Sequence, residues 1–176
     1  MARAQLGYEI AGYVCGSCFP IKKGTLLPEI LVDADSCQVK QEVYRVAKRY
    51  GLRVTLVANS QMQIPSEGWL KLVVVSDQFD AADDWIVEYI TKNDIVISGD
   101  IPLASRCLKK GARVLGPNGR VFTDDSIGDA LATRDLMSHL RDIGIMTGGP
   151  APFEKRDRSR FLQSLDGIIQ AIRNGK

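Results

Sequence analysis

Histidine is almost absent from this chain, His139 being the only one in 176 residues. It shares a helical pattern with Leu136, Leu140 and Ile143 and has no base-like partner, so it reads as a surface or packing residue. No Ser-His-Asp arrangement is present. Cysteine is scarce as well: Cys15, Cys18, Cys37 and Cys107 are too few for a disulfide scaffold in a chain of this length. Cys15 and Cys18 have zinc-like spacing, but a structural site needs two more ligands, and Cys37, Cys107 and His139 supply no matching pair. A redox pair is no better supported, since no strand pattern precedes them and no helix pattern follows. No Walker loop and no GxGxxG occurs. No apolar run approaches the roughly 20 residues that span a bilayer, and the N-terminus lacks the apolar stretch of a secretory signal. Charge of one sign is lacking too. Lys plus Arg number 23 against 21 Asp plus Glu, which neither demands nor excludes nucleic acid. What remains is 45% hydrophobic and 25% charged, the composition of a soluble, cytoplasmic, single globular domain.

Residues 1–28 stand apart, with scattered glycines and little periodicity, and read as a loosely ordered extension. The domain proper is expected over 29–176. Ile30-Leu31-Val32 suits a strand buried on both faces. Val39, Val43, Val46 and Tyr50 follow at helical spacing, stopped by Gly51. Further strands are expected over Arg53–Val57, Leu72–Val75, Ile95–Ile97 and Arg113–Leu115, with Val121-Phe122 returning after a Gly-Pro-Asn-Gly turn. Asp80 is placed to cap a helix running to Ile90, and Ile101 to Lys110 forms another, closed by Gly111. Two helices, about 124–143 and 153–173, complete the chain; the last carries an apolar stripe of Phe161, Leu162, Leu165, Ile168, Ile169 and Ile172. Alternating strands and helices imply a layered α/β fold with a mostly parallel sheet.

The informative feature is where aspartates fall. Asp33 and Asp35 follow the first strand and Asp100 follows the fourth. In open parallel sheets, sites form beyond the carboxyl ends of strands at the topological switch point. If strands one and four are neighbours, Asp33 and Asp100 converge there. Asp80, Asp83 and Asp84 share the first turn of the intervening helix. Two carboxylates about 4 Å apart repel by roughly 4 kcal/mol at an effective dielectric near 20, so such a cluster calls for protons or a divalent cation. All-oxygen ligation suits Mg²⁺ or Mn²⁺ rather than zinc. Capping and turn formation are the plainer uses of each aspartate taken singly.

Five blocks, Ile30-Leu-Val-Asp-Ala-Asp-Ser-Cys-Gln-Val-Lys40, Leu56-Val-Ala-Asn59, Asp80-Ala-Ala-Asp-Asp-Trp-Ile-Val-Glu88, Ser98-Gly-Asp-Ile-Pro-Leu-Ala104 and Thr147-Gly-Gly-Pro-Ala-Pro-Phe153, resemble the YaiI/YqxD family of bacterial proteins. The likeness runs in order from about residue 29 to 173. That family looks like a branch of the PIN-like nucleases, which implies a PIN-like three-layer α/β/α fold and metal-dependent hydrolysis of RNA. Carried across, Asp33 and Asp100 match the acids after the first and fourth strands, and Asp83 or Asp84 an acid from the intervening helix. On this reading Asp33, Asp35, Asp84 and Asp100 are the catalytic candidates, and Asp33, Asp83, Asp84 and Asp100 hold Mg²⁺ or Mn²⁺. Gln38 departs from the proline usual after the first-block cysteine, which loosens the turn into the first helix.

Substrate contacts are expected from Lys40, one turn from the acids, and from Asn59 and Ser98 at strand ends. Thr147, Gly148 and Gly149 offer backbone amides to a phosphate, and Arg156 lies in the basic first turns of the final helix with Lys155, Arg158 and Arg160. Glu154 and Asp157 interleave with those cations, as on an ordinary solvated face. Two other functions stay open. A phosphatase of the haloacid dehalogenase type would use Asp33 as nucleophile and Asp35 as acid/base, although Cys37 and the absence of a second acid four residues after Asp100 count against it. A nucleic-acid-binding module without catalysis is the other.

Overall fold

The computed structural model describes residues 27–35, 37–76, 78, 80–144 and 152–175. The extension at 1–26, with Cys15 and Cys18, and the expected phosphate contacts Thr147, Gly148 and Gly149 lie outside the described residues.

Apolar β-rich runs alternate with amphipathic segments, and the elements follow that alternation. They are β1 (Ile30–Asp33), α1 (Lys40–Tyr50), β2 (Val54–Ala58), β3 (Leu70–Val74), α2 (Ala81–Tyr89), β4 (Ile95–Ile97), α3 (Ile101–Lys109), β5 (Arg113–Leu115), β6 (Val121–Phe122), α4 (Asp124–Asp142) and α5 (Lys155–Arg173). The six strands form one sheet in the order β3-β2-β1-β4-β5-β6. Only the β5–β6 pairing is antiparallel. β1 is the branch point. Ile30 pairs with Val54 of β2 on one side and with Ile95 of β4 on the other.

Side chains of a strand alternate between faces, and each face here is roofed by helices. Ile30 and Val32 pack with Val43 and Val46 of α1 and with Phe161, Leu165 and Ile169 of α5. Leu31 points the other way, into a cluster with Ile86 of α2, Leu103 and Cys107 of α3 and Ile127 of α4. The result is a three-layer α/β/α fold, as expected from the sequence, whose central strands are predominantly apolar because both faces are covered. α1 ends as expected at Gly51, which takes the left-handed conformation at φ 66°.

Two details differ from the sequence reading. β3 starts at Leu70, two residues early, because it pairs along the whole of β2 from Val54 to Ala58. Asp80 occupies the position before α2, but at φ 60°, and its side chain makes no capping bond. Among the described residues no helix is long and apolar enough to cross a membrane.

A candidate acidic cleft at the switch point

The chain leaves β1 toward β2 and returns to β1's other side through β4, so a crevice opens beyond the carboxyl ends of these two strands. Asp33 closes β1 and faces it. Ser98, directly after β4 and buried, donates its Oγ hydrogen to Asp33 Oδ2 at 3.0 Å. The same Oγ accepts the Asp100 amide at 3.0 Å. Asp100 in turn caps α3, its Oδ1 accepting the Leu103 amide at 2.9 Å. One hydroxyl thus ties both strand-end aspartates into a single frame.

The loop after β1 is equally fixed. The Ala34 amide donates to the Val57 carbonyl at 2.8 Å, and Asp35 Oδ2 accepts the Asn59 amide at 2.8 Å. Lys40 reaches back from α1 to donate to the Ala34 carbonyl at 2.6 Å. α2 brings up the opposite wall. The enclosed space is an open cleft of about 630 Å³ whose lining, among the described residues, includes Asp33, Asp35, Asp80, Asp83 and Asp100 and no lysine or arginine.

Crowding of like charge is felt most by Asp83. Burial is the main cause that pushes its carboxyl up to about 6, and Asp100, Asp33 and Asp80 add to the rise. Arg106 opposes it. Asp83 therefore keeps its proton to higher pH than an ordinary aspartate, first because it is buried and then because other carboxylates face it.

The sequence-derived candidates divide accordingly. Asp33, Asp35, Asp83, Asp100 and Asn59 come together in the cleft lining. Asp84 does not: it is exposed on α2 and forms an ion pair with Arg106 of α3 at 2.5 Å. Helical geometry turns neighbouring residues about 100° apart, so Asp83 and Asp84 cannot both face the cleft. Ser98 is buried beneath the acids as their hydrogen-bonding support, and Lys40 is spent on the Ala34 carbonyl, so neither lines the cleft. Arg156 lies in a neighbouring pocket. Gly99 and Pro117 line the cleft without having been singled out. Pro117 comes from the turn after β5, and only strand order could have placed it there. Cys37 and Cys107 are buried thiols pushed up to about 11 and about 12 by desolvation, so neither is a ready nucleophile. His139 is exposed on α4.

The donor set is purely carboxylate, the type preferred by Mg²⁺ and Mn²⁺. Among the described residues no three His, Cys, Asp or Glu side chains already converge closely enough to enclose a metal ion. An ion held there would need ligands from outside these side chains, as a hydrated Mg²⁺ does.

Comparison with known proteins places this geometry in a family. Residues 31–171, which hold every acid of the cleft, match the family described as "Uncharacterized BCR, YaiI/YqxD family". A UPF0178 protein of Rhodospirillum centenum is 56% identical over 152 residues, covering 84% of this chain and 99% of the relative. One from Paramagnetospirillum magneticum is 56% identical over 143 residues, covering 81% and 95%. A third, from Brucella ovis, is 55% identical over 148 residues, covering 83% and 92%. No solved structure matches the chain. The chain belongs to the YaiI/YqxD family.

Proposed function

We propose that this protein is a Mg²⁺- or Mn²⁺-dependent phosphodiesterase acting on nucleic acid, with RNA as its substrate. The observation that carries the reading is the convergence of Asp33, Asp35, Asp80, Asp83 and Asp100 on one cleft at the β1–β4 switch point. The resemblance to PIN-like nucleases supports the same assignment. Asp33 and Asp100, held by Ser98, are the primary ligands, and Asp83 completes the negative face from α2. A bound divalent ion supplies charge neutralisation at the phosphate and a water of lowered pKa. Asp35, exposed at the cleft edge and fixed by the Asn59 amide, is placed to orient that water or accept its proton. Hydrolysis then forms one P–O bond from water and breaks one to the leaving ribose oxygen, which takes up a proton.

The test is a calorimetric titration of Mn²⁺ with and without a short non-cleavable RNA, on the wild type, Asp33→Asn and Asp100→Asn. A cleavage assay on end-labelled RNA runs beside it. Binding that both substitutions abolish, with an additional ion taken up only when RNA is present, is expected. Absence of specific Mn²⁺ binding in both conditions sinks the catalytic reading. A trapped aspartyl-phosphate on Asp33 would replace it with phosphatase chemistry.

A further inference from the structure

A second pocket, of about 500 Å³, adjoins the acidic cleft, and the two share Gly99 and Pro117 as a common rim. Its charge is opposite. Arg120, Arg156 and Arg160 line it against a single acid, Asp157, and Phe122 and Phe153 supply apolar surface. The arginines come from different parts of the chain: Arg120 precedes β6, while Arg156 and Arg160 lie in the first turns of α5. The two walls are locked together. At Gly119, φ is +82°, and a Cβ there would lie 2.7 Å from the Phe161 nitrogen, so the turn after β5 touches the α5 backbone directly. Ser164 Oγ also donates to the Gly119 carbonyl at 2.9 Å.

None of the arginines is sealed in place. Arg156 pairs with the exposed Glu154 at 2.9 Å, while Arg160, itself exposed, stands 3.7 Å from the mostly buried Asp157, whose carboxylate also accepts the Glu154 amide. The exposed Arg156 pair is weak and the Arg160 contact is long, so both guanidinium groups can turn to a stronger anion. Arg120 lies over the Phe122 ring, a contact that leaves guanidinium edges for hydrogen bonding. Arginine forks match phosphate oxygens, and the apolar floor suits the sugar and base attached to one.

We infer that this basic pocket binds the phosphate of a nucleotide next to the scissile one, so that a single RNA strand crosses the Gly99–Pro117 rim from the arginines into the acidic cleft. The inference rests on the phosphodiesterase reading for the direction of the strand, but its binding test does not need turnover.

The experiment is fluorescence anisotropy with a labelled eight-nucleotide RNA in EDTA, over a range of salt. Arg156→Gln and Arg160→Gln are each expected to weaken binding about 5–10-fold and to lower the slope of log K against log salt by about 0.7, the value for one contact to a single strand. Lys71→Gln, the loss of an equal charge on the exposed edge strand β3, is expected to bind as wild type. Asp33→Asn and Asp100→Asn bind RNA at least as tightly as wild type in EDTA, since they remove like charge from the strand's path. The inference is overturned if the arginine variants bind no more weakly than Lys71→Gln. Arginine-dependent RNA binding without any Mn²⁺-dependent cleavage would remove the phosphodiesterase and leave the pocket. Cleavage with unchanged KM in the arginine variants would do the reverse.

Discussion

Ser98 and Asp33, 65 residues apart in sequence, are joined by a 3.0 Å hydrogen bond across the β1–β4 pair. The same hydroxyl accepts the Asp100 amide, so it sets the spacing of both strand-end acids. Ser98→Ala is expected to destabilise the fold by about 1–2 kcal/mol, because it removes two part-buried hydrogen bonds, one to Asp33 Oδ2 and one from the Asp100 amide. Mn²⁺ affinity should fall although no acid has been removed. Urea denaturation and Mn²⁺ titration of the variant check the two effects; unchanged metal affinity would mean that Asp33 and Asp100 hold their places without it.

Asp100 has two duties that can be separated. Its Oδ1 caps α3, and its charge belongs to the cleft. Asparagine caps as well as aspartate does, whereas alanine does not, at a cost of about 1 kcal/mol. Asp100→Asn should therefore keep wild-type stability and lose metal binding, while Asp100→Ala loses both. Thermal melts of the two variants in EDTA read the cap alone.

The raised carboxyl of Asp83 predicts a pH dependence of stability in the metal-free protein. A group that binds its proton more tightly when folded stabilises the fold fully below its unfolded value, near 3.8, and that contribution is lost as pH rises through about 6. Because the side chain is only partly buried, screening leaves about 1 kcal/mol, or about 2–4 °C in Tm. Asp83→Asn should abolish this fall between pH 4 and 7 and be the more stable protein at pH 7. Excess Mg²⁺ should raise the wild-type Tm more at pH 7 than at pH 5.

Gly119 predicts an outcome that its exposed neighbours do not. Alanine there meets both an unfavourable φ and the α5 backbone, so Gly119→Ala is expected to cost about 2–4 kcal/mol. Gly128, on α4 with nothing near its missing Cβ, should accept alanine at no cost or with a small gain. Chemical denaturation of the pair measures the contrast.

How much of this is legible in the sequence follows from the range of the interactions. Helical and strand periodicity is local, so β1, α1, β4, α3 and the returning β6 were readable within a residue or two. Placing Asp33 beside Asp100 needed only the guess that β1 and β4 are neighbours, and they are. Choosing Asp83 over Asp84 needed the rotation of α2 about its axis, which is set by packing of Ala82 and Ile86 into the core. The Arg106 partner of Asp84 depends on how α2 and α3 meet, and no spacing encodes it. The sequence pattern offers Lys40 and Ser98 as substrate contacts; that they support the loop and the acids instead is a matter of hydrogen-bond direction, which sequence does not carry.

The path of the backbone through the sheet has a kinetic consequence. β1 can pair with β2 early, but its other edge stays unfilled until the chain has travelled through β3 and α2 and come back as β4. Closing so long a loop is entropically costly and slow compared with forming the shorter β1–α1–β2 crossover. Half-folded forms would therefore expose the open edge of β1 and possess no cleft. An ion that bridges Asp33 and Asp100 would act on that step as a staple, slowing the separation of the two strands. Amide exchange of β1 and β4 should then slow together when Mn²⁺ is added, ahead of any change at the distant edge β3.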